Sequence, residues 1–202
     1  MKVRPQPPTA DNAHNFNIMT DSKTAVGSTL DNLKSAILGE TGANAKYAAY
    51  EKAAREQGYD QIARLFKATA AAEEIHIKLE YDLVVKVEPD YEKPVVDGPV
   101  GEASDLNLIN GAYGEMYETS DMYPSFIKKA QEEGETKAVQ VFTRAKLAEA
   151  VHAQRYLEAY NDLDAPDDDK FYLCPICGYI HKGDDFEKCP ICFCPAKSFT
   201  AF

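Results

Sequence analysis

Two short runs, Glu73-x-x-His76 and Glu149-x-x-His152, each set a carboxylate and an imidazole three residues apart. On a helix that spacing puts both groups on one face, so each pair can grip one ion. A glutamate precedes each pair at nearly equal distance, Glu40 before the first and Glu115 before the second. The pairs fall on apolar stripes at helical spacing. Glu40 goes with Leu33, Ile37 and Tyr47, and Glu73 and His76 go with Ile62, Leu65, Thr69, Leu79 and Leu83. Glu149 and His152 go with Phe142, Ala145 and Tyr156. Carboxylates facing a core without counter-charge would cost several kcal/mol each in desolvation, as much as a domain's whole stability. Two bound cations remove that cost. Four glutamates and two histidines from four helices are the donor set of a carboxylate-bridged di-iron or di-manganese centre. A single Glu-x-x-His run is usually a solvated pair. Two copies on core stripes, each with its preceding glutamate, point to metal instead. Glu118, one turn after Glu115 on the same face, is a seventh candidate with no counterpart in the first half.

A second donor set lies near the end of the chain. Cys174-x-x-Cys177 and Cys189-x-x-Cys192 are two thiolate pairs with eleven residues between them, the pattern of a closed tetrahedral site. Iron and zinc both suit four sulfurs, so spacing alone leaves the metal open. Cys194 stands two residues beyond a filled site and is expected to be a free thiol. His14 and His181 have no partners at metal spacing and are expected to face solvent.

Four helical segments must position the glutamates and histidines. The first runs from Leu30 to Ala54, capped by Ser28 or Thr29 and stopped near Gly58. The second spans about Asp60 to Val87. The segment EPDYEKPVVDGPVGEAS then carries three prolines and two glycines, too broken for a helix and longer than most helix connections. A third helix follows Ser104 as cap and ends near Gly134, and a fourth runs from about Glu135 to Asn161. Two short connections and one long crossover describe a ferritin-like four-helix bundle. Phe66, Glu73 and His76 recur 76 residues later as Phe142, Glu149 and His152, and Tyr47 and Tyr123 fit the same offset. Glu40 and Glu115 differ by 75, so the third helix carries one extra residue between Glu115 and Tyr123. A π-bulge, or a kink at Pro124, is expected to absorb it.

Three domains follow: an extension over 1–27, the bundle over 28–165 and a cysteine-bearing tail over 166–202. The tail is too short to hold a core without a staple. The 202 residues carry a formal net charge of −11, which repels a phosphate backbone and argues against nucleic acid. No apolar run reaches the length of a membrane span. The start of the chain, MKVRPQPPTADNAHNFN, lacks the apolar core of a signal peptide. A cytoplasmic location is expected, where thiols stay reduced and clustered cysteines suggest metal.

Taken together, Glu40, Glu73-x-x-His76, Glu115-x-x-Glu118, Glu149-x-x-His152 and the two cysteine pairs resemble the rubrerythrin family over about residues 28–202. The leader and the runs SKTAVGSTL, YETSDMYP and DAPDDDKF look most like its nigerythrin branch. The resemblance implies a mostly α, ferritin-like bundle with a small rubredoxin-like β domain. It implies two irons in the bundle and one on the four cysteines, and a peroxidase that reduces hydrogen peroxide to water in an anaerobe or microaerophile. Electrons would enter from an external donor, a rubredoxin or a reductase, through the tetrathiolate iron. Family members are homodimers, and a head-to-tail arrangement is expected here. Within one chain the helix end and linker would carry the two metal sites more than roughly 20 Å apart. Residue by residue, Glu73 and Glu149 would bridge the irons, and Glu40 and Glu115 would be terminal. His152 would hold one iron permanently, while the other would exchange Glu118 for His76 on reduction. Tyr47 and Tyr123 would donate to the carboxylates, although core packing alone also accounts for both rings. One departure stands in the second knuckle, CPICFCP, where Phe193 occupies a position commonly held by glycine. Three other readings compete: a ferroxidase or storage protein of the ferritin class, a pure electron-transfer protein, and a di-manganese catalase.

Overall fold

The computed structural model describes residues 24–163, 165–166 and 170–202. His14, most of the extension and part of the linker therefore lie outside the described residues. Helices α1 (Thr29–Glu56) and α2 (Asp60–Val84) form one hairpin. The third rod is built from α3 (Ser104–Tyr117), a π-helical turn (Glu118–Met122) and α4 (Tyr123–Glu132), and the fourth is α5 (Thr136–Asn161). A capping box opens α1: Ser28 Oγ accepts from Asp31 N–H, and the Asp31 carboxylate accepts from Ser28 N–H. Gly58, at φ +82, ends its turn.

Two boundaries differ from expectation. α2 stops at Val84 rather than Val87, and Ser104 is the first helical residue of α3 rather than its cap. The Ser104 N–H and hydroxyl both face Gln57 Oε1 at 2.9 Å, so the serine ties the third rod to the end of α1. The extra residue appears as the π-turn itself, where Tyr123 N–H donates to Glu118 C=O, five residues back. That widening keeps both Glu115 and Tyr123 fully buried, on either side of the insertion. Pro124 sits in the first turn of α4, where its missing N–H is harmless.

The crossover, residues 85–103, passes close along α1. A Cβ on Gly98 would stand 2.5 Å from Ala45 C=O, so only glycine permits that approach. Two apolar clusters fill the bundle. One gathers Tyr47, Tyr50, Leu65, Phe66, Leu108 and Tyr156. The other gathers Leu33, Ile37, Ile77, Tyr123, Phe126 and Phe142. Along every helix the candidate ligands fall between the two.

The tail holds an antiparallel sheet of order β2-β1-β3, with β1 (Phe171–Leu173), β2 (Ile180–Lys182) and β3 (Thr200–Ala201). Phe171, Leu173 and Ile180 are buried in the cluster that contains Leu65 and Tyr156. The tail thus extends the bundle's own core, as a unit too small to bury these side chains alone would do. This overturns the expectation that the two donor sets of one chain lie far apart, because β1 and β2 pack onto the bundle beside Leu65 and Tyr156. Among the described residues no helix is long and apolar enough to cross a membrane.

Candidate metal centres

Three groups of donor atoms converge, each within 4.8 Å: Glu40, Glu73, His76 and Glu149; Glu73, Glu115, Glu149 and His152; and the four cysteines. Glu73 and Glu149 belong to both bundle groups, so the two groups share an edge made of carboxylates. All six residues are buried at 0–1% exposure. Glu118 joins neither group, although it is buried on the π-turn with Glu40 and Glu115 among the charges it feels.

One contact inside the bundle groups, His76 Nδ1 to Glu73 Oε2 at 3.1 Å, has hydrogen-bond geometry, but the closest contacts do not. His76 Nδ1 lies 2.6 Å from Glu149 Oε1, and His152 Nδ1 lies 2.6 Å from Glu149 Oε2. Yet both Glu149 oxygens and His152 Nδ1 lack a hydrogen-bond partner, as do Glu40 Oε2, Glu73 Oε1 and Glu115 Oε2. Buried polar atoms left this way would cost about 1–3 kcal/mol each, more for charged groups. Donor atoms that crowd together without hydrogen-bond geometry fit cations between them.

Electrostatics say the same. Burial, reinforced by Glu149 and Glu115, pushes Glu73 up to about 8. Burial and Glu149 push Glu115 up to about 7. Burial also raises Glu40 and Glu118 well above the carboxylate range. Burial works against Glu149 as well, but the two imidazoles facing it hold it below that range. Both histidines, despite burial, are pushed up mainly by Glu149. Without metal the cluster must therefore hold protons, and metal binding would replace them.

Around this centre the two halves match. Tyr47 Oη donates to Glu115 Oε1, and Tyr123 Oη donates to Glu40 Oε1. Each histidine turns Nδ1 inward and Nε2 outward. His76 Nε2 lies 3.1 Å from Cys177 C=O, and His152 Nε2 lies 2.8 Å from Gly178 C=O. A backbone carbonyl on the outer nitrogen fixes a ligating imidazole's tautomer and orientation. Here both carbonyls come from the first cysteine knuckle.

In the tail, Cys174 and Cys192 sulfurs stand 3.4 Å apart and those of Cys177 and Cys189 stand 3.5 Å apart, with no disulfide. The sulfurs of Cys174 and Cys189, with burial, keep Cys177 protonated, while those of Cys174 and Cys177 push Cys189 down to about 2. Thiols held this close suit one shared cation. Cys194 stays outside the group, and its carbonyl accepts from Cys189 N–H as that of Tyr179 accepts from Cys174 N–H. Phe193 takes the glycine conformation at φ +63, and its N–H donates to Cys189 C=O as Gly178 N–H does to Cys174 C=O. The first knuckle cannot make that exchange, because a Cβ on Gly178 would lie 2.4 Å from His76 Nε2. Phe193 faces solvent and has room.

One residue differs from its sequence expectation, and a second drew no expectation at all. His181 is only half-exposed, with Nδ1 3.2 Å from Tyr179 Oη and its ring centroid 4.2 Å from that of Phe186. Glu80 is fully buried and carries a carboxyl 3.0 Å from Tyr123 Oη. Its signal was present: Glu73, His76 and Glu80 share one face at spacings of three and four. The inward stripe runs through Glu80 to Val84, while Leu79 and Leu83 are only partly buried.

The rubrerythrin family model matches residues 31–160. The chain belongs to the rubrerythrin family. It is 75% identical to nigerythrin of Nitratidesulfovibrio vulgaris over 202 residues, all of both chains. It is 32% identical to the rubrerythrin of the same organism, covering 83% of this chain and 91% of that one. A solved structure of nigerythrin in a partially reduced state superposes with a TM-score of 0.89 over all of both chains, at 75% identity. Rubrerythrins combine a di-iron site with a rubredoxin-type iron, and the donor groups described here fit both. The sequence expectation of family, fold class and cofactors thus holds, and the chain is an oxidoreductase of the rubrerythrin type.

Proposed function

We propose that this rubrerythrin-family protein is a peroxidase that reduces hydrogen peroxide to water, drawing electrons through its tetrathiolate site. One observation carries the reading. The outer nitrogens of both candidate histidine ligands bond to consecutive carbonyls, Cys177 and Gly178, of the knuckle that holds the other donor set. A storage protein has no use for such a link, and neither has a bundle that is only structural. When bound, the bundle irons supply the two electrons that cleave the O–O bond, and the tetrathiolate iron takes electrons from an external donor.

The residues then divide the work. Glu73 and Glu149, common to both groups, would bridge the ions, while Glu40 and Glu115 would each serve one. His152 would stay on the Glu115 side. His76 sits with Glu40 and Glu118 waits outside, the arrangement this reading assigns to the reduced protein. A harder ferric ion prefers the carboxylate, and a ferrous ion tolerates imidazole. Tyr47 and Tyr123 restrain the terminal carboxylates.

A cytoplasmic location and a homodimer complete the proposal, the dimer resting on the family resemblance. Because tail and bundle of one chain already meet, distance no longer requires a head-to-tail arrangement. Exchange of tails between two copies would remake the same contact between chains. Mixing anaerobically reduced protein with peroxide tests the activity: stoichiometric peroxide loss supports it, and reduced protein indifferent to peroxide refutes it.

A further inference from the structure

Tyr123 has one hydroxyl proton and two carboxyl neighbours, Glu40 Oε1 and, at 3.0 Å, Glu80 Oε1. A phenol donates one hydrogen bond. Its donation to Glu40 leaves the contact with Glu80 without a proton unless Glu80 supplies one. Glu80 is fully buried, belongs to neither bundle group, and its Oε2 has no hydrogen-bond partner. As a carboxylate it would be a buried charge costing several kcal/mol. As a carboxylic acid it donates to Tyr123 Oη, and the three groups then form one line of bonds directed at Glu40. Burial, then the charge of Glu40, holds the Glu80 proton in place.

The internal repeat sharpens the point. The counterpart of Glu80, 76 residues on, is Tyr156, whose ring centroid lies 5.4 Å from that of Tyr47. The Tyr47–Glu115 arm is backed by a phenol and the Tyr123–Glu40 arm by an acid. The acid therefore serves only the half of the centre that contains His76.

We propose that Glu80 is a positioning residue, a neutral carboxylic acid that donates to Tyr123 and thereby commits the Tyr123 proton to Glu40. No bond to hydrogen breaks in this role. Its effect on turnover rests on the peroxidase reading, and the hydrogen-bond assignment does not.

The test uses iron-loaded, full-length protein at neutral pH in two arms. Difference infrared spectroscopy should show the carbonyl stretch of a protonated carboxylic acid, sensitive to D2O, that Glu80→Gln removes with iron content unchanged. Absence of the band, or its persistence in Glu80→Gln, overturns the assignment. In the second arm, Glu80→Leu removes the donor, whereas Glu80→Gln keeps an amide donor toward Tyr123. Reaction of the reduced protein with peroxide should slow several-fold in Glu80→Leu and return to near the wild-type rate in Glu80→Gln. Equal rates in wild type and Glu80→Leu, or no rescue by Glu80→Gln, overturn the positioning role. Wild-type protein that leaves peroxide untouched sinks the peroxidase reading instead, and the infrared arm still decides Glu80.

Discussion

The two cysteine knuckles share one backbone conformation, and the same glycine exchange should have opposite consequences in them. Gly178 has φ +74 and Phe193 has φ +63. A residue with a Cβ costs about 1–2 kcal/mol in this region, a cost the second knuckle already bears. In the first knuckle the added Cβ would also meet His76 Nε2 at 2.4 Å, Cε1 at 3.1 Å and Cδ2 at 3.2 Å. Overpacking of that kind adds about 1–3 kcal/mol. Gly178→Ala should therefore destabilise by about 2–5 kcal/mol, the sum of the two effects. It should push the knuckle off the bundle and lengthen the Cys177–His76 contact. Phe193→Gly relieves the backbone but gains unfolded-state entropy, about 0.4–1 kcal/mol in the other direction. It also loses an exposed contact with Lys188, whose Nζ stands 5.5 Å from the ring centroid. The net change should be within about 1 kcal/mol of zero by that balance. Denaturant unfolding followed at the tetrathiolate absorbance measures both, and stopped-flow reoxidation by peroxide measures transfer between the sites. Gly178→Ala with wild-type stability and transfer rate would refute the argument, as would a Phe193→Gly loss of similar size.

Glu149→Ala should lose both bundle ions while keeping the tetrathiolate absorbance, because Glu149 stands in both groups; metal analysis showing one bundle ion retained would contradict this. Glu118→Ala should keep iron, since it belongs to neither group, yet slow oxidation of the reduced protein by peroxide; lost iron or an unchanged rate removes its exchange role. The metal-free protein should become less stable as pH rises from about 5 to about 8. Glu73 and Glu115 bind protons in the folded state up to about 8 and about 7, against 4.5 for free groups. The folded chain then holds more protons than the unfolded one, and stability falls with pH. His76 and His152, raised by Glu149, act in the same direction above 6.5; metal-free melting temperatures that rise across this window would refute the reading, whereas loaded protein should not show the fall. Mixed dimers of Cys174→Ser and Glu149→Ala chains test tail exchange: the head-to-tail proposal predicts recovered activity, and none means that each tail serves its own bundle.

Much of the centre was legible because its chemistry depends on helix periodicity, which sequence displays directly. Glu40, Glu73, His76, Glu115, Glu149 and His152 converge because residues three and four apart share a face, and the offset of 75 rather than 76 located the π-turn. Glu80 was passed over because Leu79 and Leu83 looked like the apolar continuation of α2. A helix period of 3.6 instead carries the inward face from His76 to Glu80 and Val84. Ser104 looked like a cap because serine commonly is one, and its actual partner, Gln57, lies 47 residues away. The docking of the tail depends on apolar contacts of Phe171, Leu173 and Ile180 across the chain. No local pattern encodes those, so an extended linker looked reasonable.

The central claim is that the bundle reduces peroxide and the tetrathiolate site feeds it. Stopped-flow absorbance of fully reduced, iron-loaded protein mixed with excess peroxide follows both sites in one experiment. The account predicts that the bundle oxidises first, that tetrathiolate iron oxidises after it at a matching rate, and that Gly178→Ala slows only the second phase. A tetrathiolate site that stays reduced while the bundle turns over, or that oxidises equally fast in Glu149→Ala, would contradict it.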